Sequence, residues 1–179
     1  MSSIAVRPAR EADFPAVERL TVAAYVADGQ LTPGHPYERT LRDVAARAAA
    51  GDLLVAEDQS TGAVVGAVLF VLPGSRYAEL AQPGEGELRM LAVDPAAQRR
   101  GVGEALVRAC LDLAVDRGCR RVVISTRDVA RAAQRLYARL GFTRVPELDW
   151  SPVPGVRLLA MRVDLAGADP AGAGRRTPA

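Results

Sequence analysis

Apolar and polar positions along the chain follow two different periods, and each period predicts one type of element. Short apolar or alternating runs predict seven strands, over residues 4–8, 53–57, 63–72, 87–93, 121–126, 142–145 and 156–163. Apolar positions at helical spacing predict four helices, over residues 10–27, 37–50, 103–117 and 129–140. Gly51, Gly118 and Gly141 follow the last three of these helices, where a glycine commonly ends a helix.

The order of these elements is strand-helix-helix-strand-strand-strand-helix-strand-helix-strand-strand, which predicts an α/β fold with helices on both faces of a mixed sheet. The length of 179 residues fits a single domain, and no internal repeat or second apolar pattern marks another. We expect this domain over residues 4–165. Residues 166–179 are mostly Ala, Gly and Pro without an apolar period, so they predict a disordered tail.

Composition limits where the protein works. Apolar residues make up 49% and charged residues 25% of the chain, which is ordinary for a soluble protein with a sizeable core. The longest apolar run, over residues 63–72, is far shorter than the roughly 20 residues needed to cross a bilayer. Residues 1–10 contain no apolar h-region, so no secretory signal is expected. These features predict a cytoplasmic protein that does not bind a membrane.

The charged and metal-binding side chains exclude several kinds of chemistry. All 23 basic residues are arginine, so a lysine nucleophile or Schiff base is excluded. The single histidine, His35, rules out a histidine-based zinc site, and Cys110 and Cys119 lack the spacing of a metal site or a disulfide framework. We therefore expect no metal and interpret both cysteines as packing residues. A net charge of +2 with 4% aromatic residues argues against a nucleic-acid-binding module.

A loop with two glycines carries the strongest chemical signal. The fourth strand ends at Asp94-Pro95, and the sequence Gln98-Arg99-Arg100-Gly101-Val102-Gly103 then opens the long helix. Free N–H groups and the helix dipole favour an anion there, the glycines admit a phosphate without a Cβ in the way, and the arginines add positive charge. This arrangement predicts a pyrophosphate ligand. A Walker loop would need a lysine, and a dinucleotide-binding loop would need a third glycine where Leu106 stands.

The pattern Gln-x-x-Gly-x-Gly in this loop resembles the acyl-coenzyme A loop of the GNAT superfamily of N-acetyltransferases. A second segment, Ala133-Gln134-Arg135-Leu136-Tyr137-Ala138-Arg139-Leu140-Gly141-Phe142, is similar to the later motif of the family, in which a helix carries Leu-Tyr and ends in Gly-Phe. The spacing of the two motifs and the Leu-Ala-Val-Asp-Pro run over residues 91–95 also match. The resemblance covers residues 4–165 and implies a mostly antiparallel sheet of about seven strands, splayed between the fourth and the fifth. In one departure, Ala130 stands where many members carry an asparagine near the pantetheine arm.

The resemblance implies that an acetyl group passes from acetyl-coenzyme A to a primary amine by direct attack, in a ternary complex and without an acyl-enzyme. It implies Glu87 as the general base and Tyr137 as the acid that protonates the departing thiolate; the alternatives are a solvated carboxylate and a core residue, respectively. It further implies a β-bulge in the fourth strand, whose backbone groups bind the cosubstrate. The residues implied in cosubstrate binding are Leu91, Ala92, Val93, Gln98, Arg99, Arg100, Gly101, Val102, Gly103, Glu104, Ala105 and Arg131.

The acceptor amine cannot be read from the sequence, because a small metabolite amine, an amino acid, an antibiotic and a protein N-terminus all fit. Predicted loops that flank the acceptor in such a fold carry His35, Tyr77, Asp149 and Trp150. The arginines at 127, 131, 135 and 139 have the spacing of a solvated helix face, from which Arg131 reaches toward the phosphates. A non-catalytic acyl-coenzyme A sensor of the same fold is the main alternative, and a homodimer is left open.

Overall fold

In the computed structural model, which describes residues 3–32 and 34–165, seven strands form one sheet in the order β1-β2-β3-β4-β5-β7-β6. Their bounds are β1 Ile4–Pro8, β2 Asp52–Asp58, β3 Ala63–Val71, β4 Glu85–Val93, β5 Arg121–Arg127, β6 Thr143–Arg144 and β7 Leu158–Asp164. The neighbours β4 and β5 run parallel, and the other neighbouring strands run antiparallel. The predicted α/β fold with a mixed, mostly antiparallel sheet is confirmed.

The helices differ from the predicted ones mainly at one break. Their bounds are α1 Phe14–Ala27, α2 Tyr37–Arg42, α3 Val44–Ala50, α4 Val102–Asp116 and α5 Arg131–Arg139. The single helix predicted over residues 37–50 is two helices, because Asp43 lies between them and caps the second. The Asp43 carboxylate accepts a hydrogen bond from the backbone N–H of Ala46 at 3.0 Å, as the N-cap of α3.

The sheet separates two apolar layers, and consecutive strand residues belong to opposite layers. Leu54 packs in the layer that contains Leu106 of α4, whereas Leu53 packs in the layer that contains Val17 of α1. Because helices cover both faces, β2 and β3 are apolar along most of their length and do not alternate with polar residues. This arrangement confirms helices on both sides of the sheet.

The two cysteines are buried packing residues, as predicted. Cys110 and Cys119 are free thiols in the apolar layer beneath α4. Burial raises the pKa of the Cys110 thiol well above its usual range, so the thiol stays protonated and unreactive at neutral pH.

The strands β4 and β5 separate after a short parallel ladder. The ladder runs from the pair Glu85–Arg121 to the pair Leu88–Ile124. In the described part of the two strands, β4 then continues beside β3 to Val93 and β5 continues beside β7. The predicted splay between the fourth and fifth strands is confirmed.

A β-bulge lies in β4 at the point where the strands separate. Ala67 of β3 pairs with Ala92 of β4, and Leu69 of β3 pairs with Arg89 of β4. Between these two pairs β4 contains one residue more than β3, which defines the bulge at residues 90–91. The predicted bulge in the fourth strand is therefore present.

Two further predictions concern the tail and the membrane. The disordered tail predicted over residues 166–179 lies outside the described residues. Among residues 3–32 and 34–165, no helix has both the length and the apolar character needed to span a bilayer.

Candidate active site

A cleft of about 230 Å³ opens where β4 and β5 separate. Leu88 and Leu91 line it from β4, Ser125 and Thr126 line it from β5, and Tyr137 lines it from α5. Further walls come from the ends of α1 and α2 and from the segment that precedes β7. Two of the residues predicted for the site, Leu91 and Tyr137, therefore meet in one cleft.

The bulge residue Met90 holds the backbone of β4 in an unusual conformation. Its φ angle is +54°, in the left-handed region that a residue with a side chain adopts at a cost of about 1–3 kcal/mol. Its buried side chain packs with Leu31 and Leu41 on the side of α1 and α2, and these contacts hold the conformation in place. The bulge thus turns the backbone of residues 90–91 toward the gap between the strands.

The loop before α4 is shaped by two residues in the left-handed region. Arg99 has a φ angle of +62° and Gly101, the N-cap of α4, has a φ angle of +80°. Upstream, the Asp94 carboxylate accepts a hydrogen bond from the N–H of Ala96 at 2.9 Å and fixes the start of the turn. A backbone that alternates in this way at the start of a helix aims several N–H groups at one point, as an anion site requires.

Gly103 lies against side chains of α5 and β4. A Cβ atom at this position would lie 3.1 Å from Cδ2 of Leu136 in α5 and 3.6 Å from Cγ2 of Val93. A side chain at this position would therefore press against α5, and the missing side chain leaves room for Leu136 beside the start of α4. At Gly101, by contrast, no atom lies within 4 Å of an added Cβ, so the conformation is what requires glycine.

The arginines of the loop are not equivalent. The guanidinium of Arg100 forms an ion pair with Asp58 at 2.6 Å, so part of its charge is already neutralised. Arg99 of the loop and Arg131, the first residue of α5, are exposed. Glu104 of the first turn of α4 pairs with Arg108 at 2.8 Å, so its side chain is engaged along the helix surface. The side chains of Arg100 and Glu104 are therefore both engaged in ion pairs within the protein.

Glu87 is fully buried and anchors the loop that precedes β4. Its Oε2 accepts hydrogen bonds from the backbone N–H groups of Glu79, Leu80 and Ala81, at 2.9, 2.9 and 3.0 Å. Its Oε1 lies 3.4 Å from Nη1 of Arg89. The carboxylate is therefore enclosed by donors that stabilise its charge.

The burial of Glu87 excludes one of the two interpretations given for it. Glu87 is 0% exposed, so the alternative interpretation as a solvated carboxylate is wrong. Among the described residues that line the cleft, Glu87 is missing, whereas its neighbours Leu88 and Arg89 are present. This geometry favours a positioning role for Glu87 over direct proton transfer from an acceptor amine.

Arg89 connects the Glu87 anchor to the cleft. Its guanidinium forms an ion pair with Glu79 and interacts with the phenol of Tyr37 in α2. Burial opposes its charge, but the hydrogen bond to Glu79 and the neighbouring carboxylates outweigh burial and raise its pKa. Sequence reasoning missed Arg89 and Glu79 as cleft residues. The spacing of Glu87 and Arg89, two residues apart on one strand face, was the available signal for Arg89.

Tyr25, Tyr37 and Tyr137 line the cleft as neutral phenols. Tyr137 is 6% exposed and packs against Phe142, with the ring centroids 5.6 Å apart. The rings of Tyr25 and Tyr37 lie 6.3 Å apart. Burial raises the pKa of all three phenols above the usual value. Tyr137 therefore packs in the core and also lines the cleft, so the interpretation as a core residue and the interpretation as an acid both stay open.

We expect the free energy of unfolding to decrease as the pH rises above about 10. Unfolded tyrosines ionise near pH 10, whereas burial keeps Tyr25, Tyr37 and Tyr137 protonated, so the unfolded state loses protons first and is favoured. The chain contains no lysine, so the ammonium groups that titrate in this range in most proteins are absent from its side chains.

Denaturant titrations at about pH 8 and about pH 11 measure this effect. Tyr25→Phe should make the decrease smaller, because one of the three phenols no longer contributes. A free energy of unfolding that stays constant over this range would contradict the expectation.

The side of the cleft formed by α1, α2 and the segment before β7 carries two of the four residues expected to flank an acceptor. His35 and Trp150 line the cleft there. Nε1 of Trp150 donates to Oγ of Ser125 at 3.3 Å, and Nδ1 of His35 accepts from the N–H of Tyr37 at 3.1 Å. Both contacts hold the rings at the wall of the cleft.

The other two expected residues, Tyr77 and Asp149, do not line the cleft. Asp149 accepts two hydrogen bonds from Arg144, both at 2.8 Å, and one from the N–H of Ala160 at 2.9 Å. The hydrogen bonds from Arg144 lower the pKa of Asp149 to about 2, so it acts as a structural anion that ties its loop to β7. Tyr77 packs against the apolar layer under α1, below the guanidinium of Arg76.

Sequence reasoning also missed Arg127 and Asp28, which line the cleft. The predicted solvated series is right for the arginines at 131, 135 and 139, which are exposed. It is wrong for Arg127, which is the last residue of β5 and lies before the helix begins. The sequence signal that could have identified Arg127 was its position directly after the apolar run of β5.

Comparison with known proteins places this geometry in a family. A model of the acetyltransferase (GNAT) family matches residues 14–142. Glucosamine 6-phosphate N-acetyltransferase 1 of Oryza sativa subsp. japonica is 34% identical over 124 residues, which cover 63% of this chain and 68% of that protein. Mycothiol acetyltransferase of Amycolatopsis mediterranei is 42% identical over 59 residues, 33% of this chain, and the chain spans 20% of that protein's length.

A solved structure described as histone acetyltransferase HPA2 and related acetyltransferase, from Corynebacterium glutamicum, superimposes with a TM-score of 0.69 at 30% identity. The superposition covers 93% of this chain and 98% of that one. The family match begins at the first residue of α1 and ends at Phe142, so it includes the loop before α4, the bulge in β4 and the helix with Tyr137. This chain belongs to the GNAT family of acetyltransferase enzymes.

Proposed function

We propose that the chain transfers an acetyl group from acetyl-coenzyme A to a primary amine, which attacks the thioester directly without an acyl-enzyme intermediate. The observation that carries the proposal is the gap between β4 and β5, which opens at the bulge and is lined by Leu91 and Tyr137. Acetyl-coenzyme A supplies an activated acetyl thioester. The residues present fit it, because an unpaired strand edge suits amides and a helix start with alternating backbone suits a pyrophosphate.

Two backbone segments are proposed to bind the cosubstrate. Beyond Leu88, the edge of β4 that faces the gap has no strand partner in the described chain, so the backbone of Leu91 and Val93 is proposed to bind the pantetheine amides. An N–H at Leu91 or Ala92 would polarise the thioester carbonyl. The N–H groups of residues 98–105 are proposed to bind the pyrophosphate, assisted by the exposed Arg99 and Arg131.

Tyr137 is proposed as the general acid that protonates the departing thiolate. Its ring is fixed by packing against Phe142, and its residue lines the gap. Burial raises the pKa of the phenol, so the proton is present at every physiological pH. A positioned donor of this kind stabilises the charge that develops on the leaving sulfur.

The proton lost by the attacking amine needs an acceptor at the cleft. Among the described residues, the carboxylates that line the cleft are Asp28 and Glu79. Glu79 is bound to Arg89, whereas Asp28 meets a weaker partner, Nε2 of Gln30 at 3.5 Å. Burial raises the pKa of Asp28, which brings a carboxylate base closer to neutral pH. Asp28 is therefore the proposed base, and Glu87 is proposed to hold the loop over residues 79–81 against β4.

Glu87→Gln should lower the free energy of unfolding by about 2 kcal/mol or more. The amide cannot stabilise Arg89 and three backbone N–H groups as a carboxylate does, so a buried network loses its charge balance. The acid limb of the pH profile of kcat/KM should persist, because the base is elsewhere. Asp28→Asn, the matched variant in the cleft, should abolish that limb with little change in stability.

Thermal melting and pH profiles of both variants separate the two roles. A Glu87→Gln enzyme of normal stability that has lost the acid limb would make Glu87 the base. If Glu87→Gln loses stability but keeps the acid limb of the pH profile, the result supports the positioning role of Glu87.

A non-catalytic acyl-coenzyme A sensor is the alternative function. The cleft extends past the gap to Trp150 and Tyr25, and this further space favours an enzyme that holds a second substrate. The test is a screen for thiol release from acetyl-coenzyme A with a panel of amines, with acetylated products identified by mass spectrometry. Acceptor-dependent release supports the enzyme, whereas tight cosubstrate binding without product from any amine supports the sensor.

A further inference from the structure

Arg127 places a positive charge on the acceptor side of the cleft. It is the last residue of β5, and its side chain lines the cleft beyond Ser125 and Thr126. Its Nη1 donates to the backbone carbonyl of Gln30 at 3.2 Å, in the loop after α1. This contact orients the guanidinium toward α1 and α2, the wall that also carries His35.

The charge of Arg127 is not balanced by the protein. In the described part of the chain, no carboxylate lies within 4.0 Å of its guanidinium, and its buried Nε has no hydrogen-bond partner. Arg89, the other cleft arginine, is paired with both Glu79 and Glu87. An arginine that lines a cleft without a carboxylate partner favours a ligand that supplies a negative charge.

The backbone around Arg127 is held in place by its neighbours. The carbonyl group of Arg127 accepts from Nε2 of Gln134 at 2.9 Å and from the N–H of Ala130 at 3.0 Å. The N–H of Asp128 donates to the carbonyl of Arg157 at 3.1 Å. A guanidinium on a fixed backbone is oriented before the ligand arrives, which favours the bidentate binding of a carboxylate or phosphate.

The part of the acceptor side formed by the segment before β7 is mostly apolar and aromatic. Trp150, Val153, Val156 and Leu158 line it from the segment before β7 and the start of β7, and Val153 is 48% exposed there. Tyr25 lines the cleft from α1. An exposed apolar rim beside an unbalanced cation fits a ligand with an apolar body and an anionic group.

We propose that Arg127 binds an anionic group of the acceptor, a carboxylate or a phosphate, so that the acceptor is an amine that also carries a negative charge and an apolar body. This inference rests on the proposed acetyl transfer and specifies the acceptor of the same site. The amine would lie at the gap near Tyr137 and the anionic group at Arg127, with the apolar body against Trp150.

Two matched pairs of acceptors test the inference. L-phenylalanine and 2-phenylethylamine differ by a carboxylate, and tyramine O-phosphate and tyramine differ by a phosphate. We expect the anionic member of at least one pair to have the higher kcat/KM, and the pair that shows this identifies the anion. Arg127→Gln should lower that preference at least about tenfold, equal to about 1.4 kcal/mol, with an unchanged KM for acetyl-coenzyme A.

The exposed Arg135 provides the control, because Arg135→Gln removes the same charge outside the cleft and should leave the preference intact. Arg127→Lys keeps the charge but not the planar guanidinium group, so it should retain part of the preference for the anionic amine. Calorimetric binding of the four amines to the protein loaded with coenzyme A gives a second readout that does not need turnover.

The outcomes distinguish this inference from the proposed activity. Turnover without preference for the anionic amine, or a preference that survives in Arg127→Gln, overturns the inference and leaves acetyl transfer intact. Binding of the anionic amine that depends on Arg127, without turnover, supports the subsite and overturns the activity. If none of the four amines is acetylated or bound, both the inference and the proposed activity are overturned.

Discussion

Tyr137→Phe should lower kcat at least about tenfold and leave the affinity for acetyl-coenzyme A close to normal. The variant removes one hydroxyl group and keeps the ring that packs against Phe142, so the fold is expected to remain intact. General acid catalysis contributes about 100- to 10,000-fold, and a water molecule that replaces the phenol as donor recovers part of it. The loss should therefore appear in the chemical step and not in binding.

Tyr25→Phe is the matched control, because Tyr25 is also a buried tyrosine that lines the cleft. It should have a much smaller effect on kcat. Single-turnover kinetics measure the chemical step directly in the parent and both variants. An unchanged chemical step in Tyr137→Phe would show that Tyr137 is a packing residue.

Gly101→Val should weaken the binding of acetyl-coenzyme A at least about a hundredfold, equal to about 2.7 kcal/mol. At a φ angle of +80° a β-branched residue is strained, and relief of the strain turns the first N–H groups of α4 away from the phosphate position. No atom lies within 4 Å of an added Cβ, so the effect comes from backbone conformation and not from a collision. Gly103→Val would combine lost binding with a clash against Leu136 and is less informative.

Gly118→Val is the matched control for this prediction. Gly118 follows α4 at its other end, with a φ angle of +70° and no atom within 4 Å of an added Cβ. Both variants should lose similar stability in a thermal melt, and only the change at Gly101 should weaken binding in calorimetry. Equal affinities for acetyl-coenzyme A in the two variants would show that the loop before α4 does not bind the phosphates.

The fold followed from the sequence where one local signal decided each element. Apolar runs in β2 and β3 and the glycines after α3, α4 and α5 predicted their elements to within a few residues. The break between α2 and α3 was missed because the carboxylate of Asp43 prefers capping the N–H of Ala46, and the apolar pattern continues through both helices. The segment after Phe142 forms a strand of only two residues, because Pro146 starts a short helical turn soon after Arg144.

The candidate site was harder to predict than the fold, because its chemistry depends on contacts between residues that are distant in the sequence. The motifs predicted the positions of the Gly101 loop before α4 and of Tyr137 on α5, since both depend on neighbouring residues. The sequence cannot show that Glu87 accepts three N–H groups from another loop, or that Gly103 lies against Leu136. Arg127 was assigned to a helix by spacing, although a strand end places it in the cleft.

The loop over residues 79–81 has no regular secondary structure, yet three consecutive N–H groups in it are bonded to one buried carboxylate. Opening this loop would expose Glu87 and separate Arg89 from Glu79 in the same event. Its local unfolding is therefore coupled to that of β4, and the loop belongs to the cooperative folding unit of the sheet. The loop over residues 79–81 is therefore a rigid wall of the cleft, although its backbone forms no strand.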